Sequence, residues 1–183
     1  MTFIPGLTYY PNFISDAEES ELIKNIDEGS WSNELKRRVQ HYGFKYDYRT
    51  RNISKNHYLG PLPKWLSEYC SLLHDRKIFS IIPTQVIVNE YEPGQGIAAH
   101  IDCITCFGDT IASISLFSSC SMNFQKNLDK KSLFLESRSL LILKQEARYK
   151  WQHSISCRKT DQYEGKTFSR RRRLSLTFRN ILQ

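Results

Sequence analysis

A chain of 183 residues with 40% hydrophobic, 25% charged and 13% aromatic residues can bury a real core and is too apolar and aromatic for disorder. A net charge of +7 points to a polyanionic partner, nucleic acid first. Five irregularly spaced cysteines speak against a disulfide scaffold, no apolar run nears membrane-spanning length, and the start MTFIPGLTYY lacks a secretory pattern.

The expectation is therefore one domain over 1–183, monomeric, with reduced thiols, in the cytoplasm or a eukaryotic nucleus. In chain order, Ser15-Asp16-Ala17-Glu18 reads as a capping box that opens a helix carrying Leu22, Ile23 and Ile26, with Gly29 as its stop. The basic, aromatic stretch from Lys36 to Tyr48 reads as a hairpin or loop pair. Pro61 and Pro63 lead a second helix with Trp65, Leu66, Tyr69, Leu72 and Leu73.

Past residue 80 the texture turns to short strands: Gln85 to Tyr91, Ile97 to Asp102, Ala112 to Phe117, Ser121 to Gln125, Ser132 to Leu135, Ser139 to Leu143 and Lys150 to Ile155. The last runs from Arg172 to Arg179. The polar segment Lys159 to Lys166 has no assigned role. Helices over 1–80 as support and lid, then strands over 81–183, describe a mainly β sandwich or barrel with flanking helices.

His100 and Asp102 lie two apart, so a strand would set them on one face. His153 follows on a later strand. Two imidazoles and one carboxylate with open positions opposite form the donor set of non-haem iron(II) oxygenases. Zinc hydrolases use similar donors, and a satisfied core histidine is the bland alternative.

The final strand has two unlike faces. Leu174, Leu176 and Phe178 point one way, while Arg173, Ser175, Thr177 and Arg179 point the other. The two arginines are separated by about 20 Å of strand, so long side chains converging inward could grip both ends of a small dicarboxylate. Asn89 and Tyr91 share a face on another strand and can donate to carboxylate oxygens. A row wetted by solvent is the competing reading for each strand.

Taken together, Asn89-Glu90-Tyr91-Glu92-Pro93-Gly94, His100-Ile101-Asp102, His153 and Arg173 through Arg179 resemble the AlkB family of Fe(II)/2-oxoglutarate dioxygenases. Pro5-Gly6-Leu7, Arg38-Val39-Gln40-His41-Tyr42-Gly43 and Arg148-Tyr149 extend the similarity to nearly the whole chain. Within the family they look most like the oxygenase domain that modifies the tRNA wobble uridine. Departures are Ser154 after the last metal histidine, where the family often has Gly, and Ser175, where it often has Asn.

The resemblance implies a double-stranded β-helix, or jelly-roll barrel. It implies Fe(II) on His100, Asp102 and His153. It places 2-oxoglutarate on Asn89, Tyr91, Arg173 and Arg179, with Ser175 and Thr177 lining the same strand, and O2 as the oxidant. The implied reaction converts 2-oxoglutarate to succinate and hydroxylates a substrate C–H bond; an N-methyl group would leave as formaldehyde. Oxidative demethylation of N-alkylated bases in DNA or RNA is the leading expectation. Hydroxylation of a modified wobble uridine in tRNA is the second. A barrel acting on protein side chains or lipids, and an inactive nucleic-acid-binding barrel, are the alternatives from other classes.

In AlkB-like enzymes a lid before the barrel grips nucleotide, which assigns substrate contacts to Lys36, Arg37, Arg38, His41 and Tyr42. Basic groups meet phosphates and aromatics stack on bases. Asp109 near the mouth is a candidate for a base edge. Arg170 and Arg171 are expected at the barrel mouth, and Arg172 turned outward. Cys103 and Cys106 are expected to be structural or incidental thiols.

Overall fold

The computed structural model describes residues 4–182. The first three residues, part of the start read for a secretory pattern, lie outside that range. Helix α1 (Asp16–Asp27) starts at the capping box: the Glu18 amide donates to Ser15 Oγ at 3.2 Å, and the Ser15 amide donates to Glu18 Oε2 at 2.8 Å. The expected glycine stop has a different cause. Glu28 closes the helix in a right-handed conformation, and a Cβ on Gly29 would lie 2.8 Å from Tyr42 Oη and 2.9 Å from Gln40 Nε2. The glycine admits the close approach of α1 to strand β2 (Val39–Tyr42).

Of the hairpin or loop pair expected over 36–48, strand β2 forms, and the rest is a loop that bridges back at Phe44–Tyr58 and Asp47–Asn52. Helix α2 (Lys64–Asp75) follows the two prolines, with Pro63 at its N-cap.

Two antiparallel sheets then face each other. The larger takes its strands in the order β1 (Leu7–Tyr10), β8 (Leu140–Leu143), β5 (Phe107–Phe117), β12 (Arg173–Ile181), β3 (Gln85–Tyr91) and β2. The smaller runs β4 (Ile97–His100), β9 (Gln152–Ile155), β6 (Cys120–Lys126) and β7 (Asp129–Leu135). This is the double-stranded β-helix expected above.

The period-two alternation of β12 divides the core. Leu174, Leu176 and Phe178 pack with Val86, Val88 and the apolar stripes of α1 and α2, including Leu22, Ile26, Leu66 and Leu73. On the other face of the larger sheet, Ile111, Leu141 and Leu143 meet Met122, Phe124 and Ile155 of the smaller. Helices cover one side of the large sheet, and the barrel interior lies on the other.

Three features were not anticipated. Strand β1 pairs with β8, Leu7 opposite Leu143. Strand β5 begins at Phe107 rather than Ala112, because its first residue pairs with Ile181 across a register shift that the Gly-Asp pair masks in the sequence. The polar segment after His153 is a hairpin of β10 (Thr160–Tyr163) and β11 (Lys166–Ser169). Its two-residue turn, Glu164-Gly165, has positive φ at both positions (49° and 73°), which fits the right-handed twist of paired strands.

Candidate active site

The donor cluster is assembled by a strand pair and a loop. His100 on β4 stands directly opposite His153 on β9, with ring centroids 4.3 Å apart. Strand β4 ends at His100, so Asp102 is presented by the loop that follows rather than by the strand face that the spacing suggested. Asp102 Oδ1 lies 3.4 Å from His100 Nε2 and 3.9 Å from His153 Nε2. One donor atom from each residue falls within 4.8 Å of the others, close enough to share one ion.

Protonation suits that use. His100 Nδ1 donates to the Ala98 carbonyl at 2.8 Å, which leaves Nε2 with its lone pair free. Burial pushes His153 down to about 4, so it is neutral at pH 7. Burial also opposes ionisation of Asp102. The Arg179 guanidinium outweighs it and holds the carboxyl well below the usual range. Arg179 Nε donates to Asp102 Oδ2 at 2.9 Å.

Beside this cluster the polar face of β12 is buried, not wet: Arg173 is 3% exposed and Arg179 8%. A cavity of about 60 Å³ is lined by Asn89, Tyr91, Arg173, Ser175, Thr177 and Arg179, together with the three donors. Arg173 Nη2 donates to Ser115 Oγ at 2.7 Å, but its Nε and Nη1 are buried with no partner. A buried cation with two donor nitrogens left over is costly unless an anion completes it, and a carboxylate of 2-oxoglutarate has the charge and the acceptors to do so. Burial raises the Tyr91 phenol, keeping it a neutral donor. Ser113 and Ser115 of β5 belong to the same wall; Ser113 Oγ lies 2.8 Å from Ser175 Oγ. Sequence reasoning placed this strand but missed its polar face, although Ile111, Ser113 and Ser115 alternate as a barrel-facing row.

A wider cleft of about 620 Å³ opens above the donors, sharing Asn89, His100, Asp102 and Arg179 with the inner cavity. Arg37, Tyr46, Tyr48, Arg51 and Phe107 wall it. Tyr46 sits 5.1 Å from Tyr48 and 5.7 Å from Phe107, ring to ring.

The expected substrate contacts divide by strand parity. Val39 pairs with Asn89 and His41 with Ile87, which puts odd positions of β2 toward the cleft. Arg37, on that side, donates from Nε to Asn89 Oδ1 at 3.0 Å. Arg38 and Tyr42 point to the helices instead. Arg38 pairs with the buried Glu90, which Arg172 also binds at 2.7 Å, and its guanidinium lies 4.7 Å from the Trp31 ring. Tyr42 packs edge-on against Trp65 and donates to Gln40. His41 lies behind the cleft wall, its ring 5.6 Å from Tyr48 and its Nδ1 accepting from the Tyr46 amide.

Asp109 is exposed near the start of β5, accepts from Thr110 Oγ1, and does not line the cleft. Arg170, expected at the mouth, is buried against Asp161, because the unforeseen hairpin carries that carboxylate to it. Cys103 and Cys106, expected as thiols, are joined in a disulfide; the turn after Asp102 brings their Cα atoms to 5.3 Å. The Asp102 loop thus departs from the sequence reading twice, in its backbone and in its cysteines.

A jelly roll with two histidines and an aspartate gathered at a cavity that ends in a buried arginine defines an iron(II)- and 2-oxoglutarate-dependent oxygenase. The chain matches the 2OG-Fe(II) oxygenase superfamily over residues 6–179, and it belongs to that family. Its cofactor set is that of the family: Fe(II), 2-oxoglutarate and O2. Its relatives include AlkB homologues. The alkylated DNA repair protein ALKBH8 homolog of Arabidopsis thaliana is 36% identical over 97% of this chain and 59% of its own length. The tRNA (carboxymethyluridine(34)-5-O)-methyltransferase ALKBH8 of Macaca fascicularis is 35% identical over 98% of this chain and 31% of its own. The chain thus spans from about a third to three fifths of these relatives. The solved structure of OsALKBH1 shares the fold, with a TM-score of 0.73 at 18% identity over 98% of this chain and 99% of that one. No helix among the described residues is long and apolar enough to cross a membrane.

Proposed function

We propose that this chain is an Fe(II)/2-oxoglutarate dioxygenase that hydroxylates a nucleic-acid base, removing N-alkyl groups from DNA or RNA. The observation that carries the reading is one continuous cavity in which three metal donors face a buried arginine with two unpartnered donor nitrogens. His100, Asp102 and His153 would hold Fe(II). Arg173, with Asn89 and Tyr91, would take one carboxylate of 2-oxoglutarate, and Arg179 would take the end nearer the metal. Ser175 and Thr177 line the space between. When bound, Fe(II), 2-oxoglutarate and O2 supply the oxidising chemistry, which yields succinate, CO2 and a hydroxylated C–H bond.

The residues of this chain bind, orient and exclude water. His100 keeps its proton on Nδ1, toward Ala98, so that Nε2 can coordinate. Arg179 keeps Asp102 ionised. Tyr46 and Tyr48 offer rings to a base, and Arg37 and Arg51 offer charge to phosphate. A base from a duplex would have to be flipped to reach this depth, whereas an RNA loop already presents unstacked bases. The relative named for carboxymethyluridine at tRNA position 34 supports a second reading, hydroxylation of a modified wobble uridine.

Incubation with Fe(II), 2-oxoglutarate and ascorbate, with methylated DNA, methylated RNA or bulk tRNA, separates these readings by mass spectrometry of the nucleosides. Succinate with loss of a methyl group is expected on the first two; a hydroxylated nucleoside from tRNA alone would favour the second reading. His100→Ala should abolish turnover and leave the melting temperature of the metal-free protein nearly unchanged. Full activity in that variant would sink the metal assignment.

A further inference from the structure

Asp102 is the one proposed metal donor that no sheet ladder holds, since β4 ends two residues before it. Its carboxylate is touched by Arg179, which the proposed function also assigns to the cosubstrate. Something else must fix the loop. Arg148 heads the largest fully buried side chains of the described residues, at 2% exposure. Its guanidinium donates to four backbone carbonyls: Asp102 at 2.9 Å, Cys103 at 3.1 Å, Phe107 at 3.2 Å and Gly108 at 3.1 Å. All four belong to the loop that leaves Asp102 and the first residues of β5.

A planar fork with five fixed donors suits this task, because it satisfies both ends of one loop at a set spacing. One residue thus supplies donors to four carbonyl oxygens of the loop, of which the Cys103 carbonyl also accepts from the Phe107 amide. Arg148 lies on the short helix α3 (Gln145–Tyr149), which runs into β9 and its His153. The side chain therefore spans the segments that carry two of the three donors.

We infer that Arg148 is a positioning residue that sets Asp102 opposite His100 and His153 before the metal arrives. The inference rests on the proposed role of Asp102 as a metal donor.

The test is an anaerobic Co(II) titration of the wild type, Arg148→Met and Arg148→Lys, read by the ligand-field spectrum, with a thermal melt of each metal-free protein. Both variants are also made in a Cys106→Ser background, which removes the other tie across this loop. Arg148→Met should melt cooperatively and bind Co(II) about tenfold to a hundredfold more weakly, the usual loss when an outer-shell partner is removed. Arg148→Lys, with a charge but no fork, should recover part of it. A folded Arg148→Met that binds Co(II) as tightly as the wild type would overturn the inference.

Amide exchange in the wild type gives an arm independent of variant folding. The Phe107 amide, which donates to the Cys103 carbonyl at 3.2 Å, should be protected without metal and change little on adding Co(II). Protection gained only with metal would mean that the loop is not preset, and the inference falls. Absence of Co(II) binding by the wild type would instead remove the metal site itself, and this inference with it.

Discussion

At the scale of single residues, Arg173 and Arg179 are chemically alike and placed in opposite circumstances. Arg179 has a carboxylate partner within the protein, whereas Arg173 has a hydroxyl and two buried donors left over. An incompletely paired buried charge weakens the free protein, and its retention makes sense when a ligand completes it. Arg173→Met should therefore leave the thermal stability of the ligand-free protein equal or higher. It should weaken 2-oxoglutarate binding by about 3 kcal/mol, roughly a hundredfold, the worth of one or two charge-assisted hydrogen bonds. Calorimetry with 2-oxoglutarate and a thermal melt read the two effects separately. Unchanged affinity would discredit Arg173 as the carboxylate anchor.

At the scale of elements, the β10–β11 hairpin shows how a segment with no apparent role is built in. Asp161 is 1% exposed and is bound by Arg158 and Arg170, with Arg170 Nη1 also donating to the Ser156 carbonyl at 2.7 Å. The rings of Tyr163 and Phe134 stack at 4.5 Å, fastening the hairpin to β7. Removing one partner of a buried pair leaves a charge without compensation, which typically costs about 3–5 kcal/mol. Asp161→Leu should thus destabilise the protein strongly, and Arg170→Met added to it should restore part of the loss. Denaturant midpoints for the two single variants and the double form the cycle. Additive losses would show that the pair is not coupled.

At the scale of the molecule, stability should depend on pH through the wall behind the cleft. Burial, reinforced by Lys45, pushes His41 from 6.5 down to about 4. The unfolded chain then binds a proton between those values that the folded one refuses, so stability rises with pH across this window and is lost as pH falls from about 6.5 toward 4. His41→Gln should flatten that part of the stability profile in Co(II)-loaded protein, where a liganded His153 does not titrate. Identical slopes for variant and wild type would remove His41 as the cause. The same wall bears Tyr48 against His41, so acid unfolding should begin at the lid rather than in the helix-side core.

Periodicity and chemical type are local properties, and they sufficed for much of this protein. The two faces of β12, the Asn89–Tyr91 pair on β3, the capping box of α1 and the identities of His100, Asp102 and His153 could all be read along the chain. What could not be read was decided by pairing. Whether Arg37 or Arg38 enters the cleft depends on which β2 residue sits opposite Asn89, and a one-residue change of register exchanges the faces. Gly29 looked like a helix stop but answers to Tyr42, a residue on another element. Arg170, expected at the barrel mouth, is buried where a hairpin delivers Asp161 to it. The seat of Asp102 beyond the end of β4, its hold by Arg148, and the closure of Cys103 onto Cys106 arise from contacts between segments distant in sequence or from the turn they impose. The sequence by itself determined which donors and cations this protein owns; only the tertiary structure decided which of them share a cavity, because burial and partner geometry are properties of the packed chain.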